Sequence, residues 1–293
     1  MKNREHIGSK LFDVFNTFLM ITILFITLFP LYYVLIISFS DGSAVMRGEV
    51  NFIPKGINWK SYEIVFQDSS LMRSYLNTIL YTISGTIINL SMTALCAYPL
   101  SRSSFYGRNF FALAIVFTMF FDGGLIPRYL VVDSLGLVDT VWAIIIPPAI
   151  NVWYMILMRT FFQNIPEAMH ESAYMDGAGE FKVLTRIVLP LSVPILATMT
   201  LFYAVWHWNS FFPALIYLSD KSQYPVQIIL RNIVISGDMA EQSSMMGGQM
   251  GQLVTAQNIK YAVVIVAIAP IVMLYPFLQK YFVQGLMVGS IKG

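Results

Sequence analysis

The stretch Phe15–Phe39 reads FNTFLMITILFITLFPLYYVLIISF and holds no charged residue. A helix needs about 20 apolar residues to cross a bilayer core of about 30 Å, and this stretch exceeds that length. It is also longer than the apolar region of a cleavable signal peptide, which reaches about 15 residues. Its unbroken apolar character differs from the alternation of a transmembrane β-strand. We therefore predict a membrane-spanning helix that is retained as an anchor.

The composition of the whole chain is typical of a membrane protein. Of its 293 residues, 57% are apolar and 12% are charged, and the mean hydropathy is +0.66, whereas soluble domains carry about 25% charged residues. The 18 basic and 16 acidic residues nearly cancel, which excludes a large basic face for nucleic acid. A single cysteine excludes an internal disulfide and a cysteine-based metal cluster, and three scattered histidines predict no metal site.

Further apolar stretches predict an all-α polytopic membrane protein with six spans. The predicted spans are Phe15–Phe39, Ser74–Leu100, Asn109–Leu130, Thr140–Phe161, Leu191–Tyr217 and Tyr261–Val283. They divide the chain into an N-terminal segment (1–14), one transmembrane domain (15–283) and a tail (284–293). The longest connections on the side opposite the termini are 41–73 and 218–260. The Gly-, Met- and Gln-rich stretch Gly237–Gln252 predicts a loop that is mobile or ordered by a partner.

The basic residues predict which side of the membrane the termini occupy. Six spans place both termini on the same side, and Lys2, Arg4 and Lys10 precede the first span. Lysine and arginine in short flanking segments favour the cytoplasmic side. We therefore predict a multi-pass protein of a bacterial inner membrane with both termini in the cytoplasm, and with segments 41–73 and 218–260 outside.

A polar segment between the fourth and fifth spans differs from the rest of the chain. Residues 164–190 read NIPEAMHESAYMDGAGEFKVLTRIVLP. Asn164 is a candidate N-cap and Pro166 suits a first helical turn, so we predict a helix to about Met175. Gly177 tolerates the positive φ of a tight turn, and a second helix is predicted from near Gly179 to Pro190. The first helix carries an acid and small residues that can enter the groove of a partner, namely Ala168, Glu171, Ser172 and Ala173.

This segment resembles the EAA signature of permease subunits in bacterial ABC importers. The resemblance is carried by Glu171-Ser-Ala173, Gly177 and Ile187-Val-Leu-Pro190, with Ser172 where the family often has alanine. It implies a coupling helix that docks into a cleft of a cytoplasmic ATPase. The coupling residues implied are Glu171, Ser172, Ala173, Asp176, Gly177, Leu189 and Pro190. The alternative is an amphipathic loop helix without a partner.

The rest of the chain resembles the MalG-type carbohydrate subfamily of these permeases. The residues that carry this likeness are Pro54, Trp59-Lys-Ser-Tyr62, Asn77-Thr78, Ile126-Pro-Arg-Tyr129, Leu135-Gly-Leu137, Thr140, Trp208-Asn209 and the tail 284–293. The resemblance implies the type I ABC importer fold, a second permease subunit, two ATPase subunits and an extracytoplasmic sugar-binding protein, all in contact with membrane lipid. Within the subfamily, the chain resembles the MalG-type permease subunit of an alginate importer.

Nothing in the sequence predicts that this subunit is an enzyme. It contains no G-x-x-x-x-G-K-[ST] phosphate-binding loop, so we expect no cofactor in this chain, and ATP and Mg²⁺ to be bound by the partner ATPases. Gly177-Ala-Gly179 lacks the next glycine of a dinucleotide-binding motif. His170 lies in the predicted coupling helix, and His207 is more consistent with a polar residue facing the helix bundle than with a catalyst.

Aromatic and amide side chains in two spans are candidates for a sugar pathway. Sugars bind to aromatic faces and hydrogen-bonding groups, and polar groups within a membrane usually face the protein interior. The candidates are Asn151, Trp153, Tyr154, Trp206, Trp208 and Asn209, together with His207. Arg128 is the only basic residue between Arg108 and Arg159, and it is a candidate either for guiding an acidic sugar or for anchoring a lipid headgroup.

Two other transport functions remain open from the sequence. One is an ABC permease for another solute, such as an amino acid or a polyamine. The other is a secondary transporter driven by an ion gradient, although such proteins usually contain inverted repeats and intramembrane acids. We find no repeat, and the spans carry almost no acidic residue apart from Asp122, near an outer end.

Overall fold

The fold is described by a computed structural model over residues 7–236 and 257–273, and all regular secondary structure in these two ranges is helical. The helices are α1 (Ile7–Phe39), α2 (Gly42–Met46), α3 (Lys60–Gln67), α4 (Ser69–Ser101), α5 (Arg108–Phe120), α6 (Leu125–Ser134), α7 (Trp142–Ile145), α8 (Val152–Gln163), α9 (Glu167–Met175), α10 (Glu180–Val183), α11 (Leu189–Leu191), α12 (Val193–Asn209), α13 (Phe212–Tyr217), α14 (Val226–Ser236) and α15 (Gln257–Met273). A π-helical turn, Leu184–Val188, joins α10 to α11.

Two of the six predicted spans are continuous helices in the described part of the chain. Helices α1 and α4 are long and apolar enough to cross a membrane. If each of two bent helix pairs is counted as one span, the described residues contain at most four spans. Helix α15 starts before the predicted sixth span, and that span's remainder, together with the tail 284–293, lies outside the described residues. Six continuous spans are therefore not observed.

The predicted third span, Asn109–Leu130, is wrong as a single straight helix. Helix α5 ends at Phe120, and α6 leaves at an angle of 117° to it. Gly124 lies between them with a φ of 85°, a conformation that glycine adopts without strain. The carboxylate of Asp122 accepts a hydrogen bond from the Gly124 amide at 3.1 Å and stabilises this turn.

The predicted fourth and fifth spans are also interrupted. The fourth consists of α7 and α8, with Pro147-Pro148 between them, because proline supplies no backbone donor and disfavours helix in the residue before it. The fifth starts at a bend of 85° between α11 and α12, close to the helix end predicted at Pro190. It is interrupted again at Ser210-Phe211, before α13. The apolar composition alone does not reveal these breaks, but Pro147-Pro148 and Pro213 in the sequence indicate irregular helices in these two spans.

The described residues form two compact units, of which the first comprises 7–69, 230–236 and 257–268. Its core contains Ile36 and Ile37, near the end of α1. The buried amide of Asn258 donates to the Ile37 and Ser40 carbonyls at 2.7 and 2.9 Å. This contact joins α15 to the end of α1, where the chain enters the connection 41–73.

The second unit comprises 70–229 and 269–273 and carries the candidate sites. Its largest core packs α4, α8 and α12 around buried residues such as Met155, Met158 and Met199. The first part of the predicted external loop 218–260 is ordered against α4, because the Asn77 amide donates to the Ser222 carbonyl at 2.8 Å. The stretch Gly237–Gln252 lies outside the described residues.

Candidate functional site

The segment 164–190 folds as two helices joined by a tight turn. Helix α9 ends at Met175, and Gly177 follows with a φ of 73°, which confirms the predicted break. The predicted N-cap is wrong, because Asn164 ends α8 and donates its side-chain amide to the Thr160 carbonyl at 3.1 Å. Pro166 takes the N-cap position instead, where its fixed φ and missing donor cost nothing.

Two carboxylates fix this segment to the end of α4. Both oxygens of Glu167 accept hydrogen bonds from Arg102, at 3.0 and 2.6 Å. Glu180 accepts from the Tyr98 hydroxyl at 2.6 Å and from the Tyr174 hydroxyl at 2.9 Å. The segment is therefore attached to the end of α4 through charged hydrogen bonds, which are stronger than neutral ones.

The ionisation of these groups follows from their surroundings. Burial disfavours the charged form of Glu180, but the hydrogen bonds from Tyr98 and Tyr174 outweigh burial and lower its pKa. Burial also opposes the charge of Arg102, but the hydrogen bonds and charge of Glu167 raise its pKa overall. Both groups are therefore charged near neutral pH, and the two contacts to α4 persist there.

His170 is enclosed by the same cluster. Its ring is 2% exposed and stacks on Tyr98 with ring centroids 6.4 Å apart. Burial, followed by the nearby positive charge of Arg102, lowers the pKa of His170. The ring is therefore neutral near pH 7 and serves as packing rather than as a catalyst.

The predicted coupling residues divide into exposed and inward-facing positions. Glu171, Ser172, Asp176, Gly177 and Pro190 are exposed. Ala173 is buried in the core of the second unit, and Leu189 is half-buried against that core. The surface available to a partner therefore consists of the outer face of α9 and its turn, and Ala173 supports this surface from within.

A cavity of about 300 Å³ lies among α6, the break between α7 and α8, and the ends of α12 and α13. Its lining includes the predicted pathway residues Asn151, Tyr154 and Trp206, and also Arg128. Among the described residues that line it, Arg128 alone carries a charge at neutral pH. The remaining lining is mostly aromatic, aliphatic and proline side chains, which suits the faces of sugar rings.

The other three predicted pathway residues lie outside this cavity. Trp153 is largely exposed. Trp208 is buried, and its ring lies edge-on to Tyr75 with centroids 5.6 Å apart. Asn209 donates its side-chain amide to the Val205 carbonyl of its own helix at 2.9 Å. These three residues are close in the sequence to cavity-lining residues, but their side chains leave the helix in other directions and do not line the cavity.

Tyr203 is a cavity residue that the sequence analysis missed. Its hydroxyl accepts from the backbone N–H of Asn151 at 3.2 Å and lies 2.7 Å from the Thr93 hydroxyl. Its ring meets Tyr154 edge-on, with centroids 5.0 Å apart. Tyr203 and Trp206 are three residues apart and share a helix face, and this spacing was the available signal.

A buried polar contact supports the broken fourth span behind the cavity. Asn89 donates its amide to the Pro148 carbonyl at 2.5 Å and accepts at Oδ1 from Nε2 of His207 at 2.7 Å. Gly85, one turn away on α4, makes room for the His207 ring. His207 therefore faces the bundle, as predicted, and holds Asn89, whose amide satisfies the Pro148 carbonyl at the proline break.

Arg128 pairs with Asp122 at the edge of the same region. Its Nη2 lies 2.7 Å from Oδ2 of Asp122. The other carboxylate oxygen of Asp122, Oδ1, accepts from the Gly124 amide in the turn. Both side chains are more than half exposed. The cation that lines the cavity is therefore accompanied by a carboxylate in a solvated position.

Most of the chain matches one known protein family. Residues 69–288 match the family described as the binding-protein-dependent transport system inner membrane component. The chain belongs to this family. The family predicted from the segment 164–190 is confirmed, and this permease is an integral component of a transport system.

Relatives of the permease extend the match to nearly its full length. The polygalacturonan/rhamnogalacturonan transport system permease protein YtcP of Bacillus subtilis (strain 168) is 40% identical over 290 residues, which are 97% of this chain and 99% of YtcP. Protein LplC of the same organism is 41% identical over 287 residues, 98% of this chain and 96% of LplC. In the crystal structure of a bacterial ABC transporter involved in the import of the acidic polysaccharide alginate, one chain superposes with a TM-score of 0.90 and 33% identity, covering 94% of this chain and 98% of that chain.

Proposed function

We propose that this permease is one of two transmembrane subunits of a type I ABC importer that carries an acidic oligosaccharide. The observation that carries the proposal is the cavity of about 300 Å³, in which Arg128 accompanies the rings of Tyr154 and Trp206 and the amide of Asn151. Aromatic rings bind sugar faces, and a guanidinium binds carboxylates. The combination fits a sugar that carries carboxylates.

The similarity to known transporters supports the same substrate class. YtcP is described as a permease for polygalacturonan and rhamnogalacturonan, and the transporter with a TM-score of 0.90 as an importer of alginate. Alginate or a fragment of it is the narrower proposal. A neutral oligosaccharide is the second candidate, because Arg128 is the only charged group among the described lining residues. Such a sugar has no carboxylate for Arg128 to bind.

The driving force comes from separate ATPase subunits in this proposal. The outer face of α9, with Glu171, Ser172 and Asp176 exposed, docks into an ATPase that binds ATP and Mg²⁺. A cytoplasmic position of the segment 164–190 and of both termini follows from this arrangement. A binding protein delivers the sugar on the opposite side, and this subunit contributes no catalytic group.

Two alternative functions predict different behaviour. An ABC permease for amino acids or polyamines would be stimulated by a binding protein loaded with those solutes. An ion-coupled transporter would need a titratable acid in its pathway, and the described lining residues of the cavity include none.

Copurification and ATPase stimulation test the proposal. The permease is purified with the subunits that associate with it, and ATP hydrolysis is measured with binding proteins loaded with acidic or neutral oligosaccharides. We expect ATPase subunits and a second permease to copurify, and stimulation by acidic oligosaccharides. Stimulation by amino acids or polyamines alone would contradict the substrate class.

A further inference from the structure

We propose that Asp122 determines the selectivity of this permease by occupying the position on Arg128 that a sugar carboxylate takes during transport. This inference rests on the proposed function. It concerns a residue outside the cavity lining, and it makes the Asp122–Arg128 pair an exchangeable contact rather than a structural one.

The turn between α5 and α6 places Asp122 for this exchange. One carboxylate oxygen, Oδ1, accepts from the Gly124 amide at 3.1 Å, while the other, Oδ2, lies 2.7 Å from Nη2 of Arg128. The carboxylate is thus held by the backbone independently of the guanidinium. If Arg128 turns to a substrate, Asp122 keeps its position in the turn and remains available to receive the guanidinium again.

The contact between Arg128 and Asp122 is weaker than the strongest contact that a guanidinium can make with a carboxylate. A single nitrogen of Arg128 contacts a single oxygen of Asp122, whereas arginine can bind a carboxylate through two parallel hydrogen bonds. Arg102 and Glu167 show the two-bond arrangement in the same chain, at 3.0 and 2.6 Å. A carboxylate that approaches Arg128 freely can therefore bind it better than Asp122 does.

Exposure separates the exchangeable pair from the structural one. The side chains of Arg128 and Asp122 are 55% and 60% exposed, whereas that of Arg102 is 9% exposed. Water solvates either partner of an exposed pair after separation, so breaking the pair costs little. Breaking the pair of Arg102 leaves a buried charge and is costly. Of these two pairs, the one at the cavity therefore separates at the lower cost.

The negative charge of Asp122 predicts the direction in which its removal changes the entry of an acidic sugar. Its carboxylate competes with an acidic sugar for Arg128. Removal of this charge should favour entry of an acidic sugar as long as Arg128 is present, and should have no such effect once Arg128 is neutral. This conditional effect distinguishes competition for Arg128 from a general change in surface charge.

The test measures uptake by four proteins in proteoliposomes that contain the complete transporter: wild type, Asp122→Asn, Arg128→Gln and the double variant. The probe is radiolabelled trigalacturonate or trimannuronate, whichever the wild type transports, bound to the binding protein at subsaturating concentration. We expect Asp122→Asn to increase initial uptake about two- to fivefold, Arg128→Gln to decrease it, and the double variant to match Arg128→Gln. Glu49→Gln is the control, because Glu49 also forms exposed ion pairs, with Arg47 and Lys55, and does not line this cavity, and we expect wild-type uptake.

The outcomes separate this inference from the proposed function. If Asp122→Asn leaves uptake unchanged or lowers it, or raises it by the same factor when Arg128 is already neutral, competition for Arg128 is excluded while the transport function stands. If the wild type transports neither acidic trisaccharide, the proposed function itself fails. Recovery of each variant in a complex with the wild-type subunit composition shows that it is folded and assembled.

Discussion

Arg102, directly after α4, binds both carboxylate oxygens of Glu167 at the start of α9, at 3.0 and 2.6 Å. The two side chains differ in exposure, since that of Arg102 is almost buried and that of Glu167 is half exposed. The pair connects the helix that carries Asn89, behind the cavity, to the helix proposed to dock on an ATPase. Together with the hydrogen bond from Tyr98 to Glu180, it links the two candidate sites.

This difference in exposure predicts unequal effects of removing either partner. Glu167→Gln leaves the buried Arg102 guanidinium without its counter-charge, and we expect a loss of about 1–3 kcal/mol of stability. Arg102→Met leaves Glu167 solvated and should cost less. The double variant should recover part of the loss caused by Glu167→Gln. Thermal unfolding of the detergent-solubilised complex measures all three, and equal losses for both single variants would contradict the account.

The buried His170 predicts that packing of α9 depends on pH. Its pKa is lowered by burial and by Arg102, so the unfolded segment takes up a proton below the ordinary histidine pKa of about 6.5 before the packed segment does. The stabilising contribution is complete above that pH and is lost as pH falls through the lower folded pKa. Glu180, whose pKa is also lowered, adds a loss only in more acidic solution.

Hydrogen exchange measures this dependence. We expect protection of the amides in Glu167–Met175 to fall between about pH 7.5 and about pH 5.5, after correction for the intrinsic exchange rates. His170→Gln cannot titrate and should flatten the curve over this interval. A wild-type curve that is equally flat would show that the histidine does not contribute.

The turn after α9 predicts a difference between two replacements of Gly177. Its φ of 73° costs a β-branched residue about 1–2 kcal/mol, whereas asparagine tolerates this conformation. An added Cβ meets no atom within 4 Å there, so the expected effect acts through the backbone. We expect Gly177→Val to lower the amount of sugar transported per ATP hydrolysed, and Gly177→Asn to retain it. Wild-type uptake by both Gly177→Val and Glu171→Ala would contradict the docking role.

The close approach of α4 to His207 predicts that Gly85 cannot be enlarged. A methyl group at Gly85 would overlap the His207 ring and displace it from Asn89, at a cost of about 1–3 kcal/mol. Gly179→Ala is the control, because a methyl group there meets nothing and φ is −76°. We expect Gly85→Ala to lower the melting temperature and the uptake rate, and Gly179→Ala to change neither. Equal behaviour of the two variants would remove the supporting role of His207.

The parts of the fold that follow local rules could be predicted from the sequence. The anchor Phe15–Phe39 appears as α1, since one long apolar run is sufficient evidence for a spanning helix. The end of α9 at Met175 followed from Gly177, because a positive φ there is a local property. The bend between α5 and α6 was missed, although Gly123-Gly124 signals it, because the apolar residues on both sides satisfied the length of a span.

The candidate sites depend on contacts between residues distant in the sequence, and these were not predictable. Asn89 and His207 meet across two helices, and no local pattern pairs them. Ala173 has the small side chain that suits a docking face, but the packing of α9 turns it inward. Trp208 faces Tyr75 rather than the cavity, because a rotation of 100° per residue separates it from the cavity-lining Trp206.

The central claim, ATP-driven transport of an acidic oligosaccharide through this permease, is tested most directly by uptake into proteoliposomes. Vesicles that contain the permease with its associated subunits receive trigalacturonate or trimannuronate on the loaded binding protein, with or without enclosed ATP. The account predicts accumulation that requires ATP, the binding protein and this subunit together. Accumulation without ATP that follows an imposed ion gradient would contradict it.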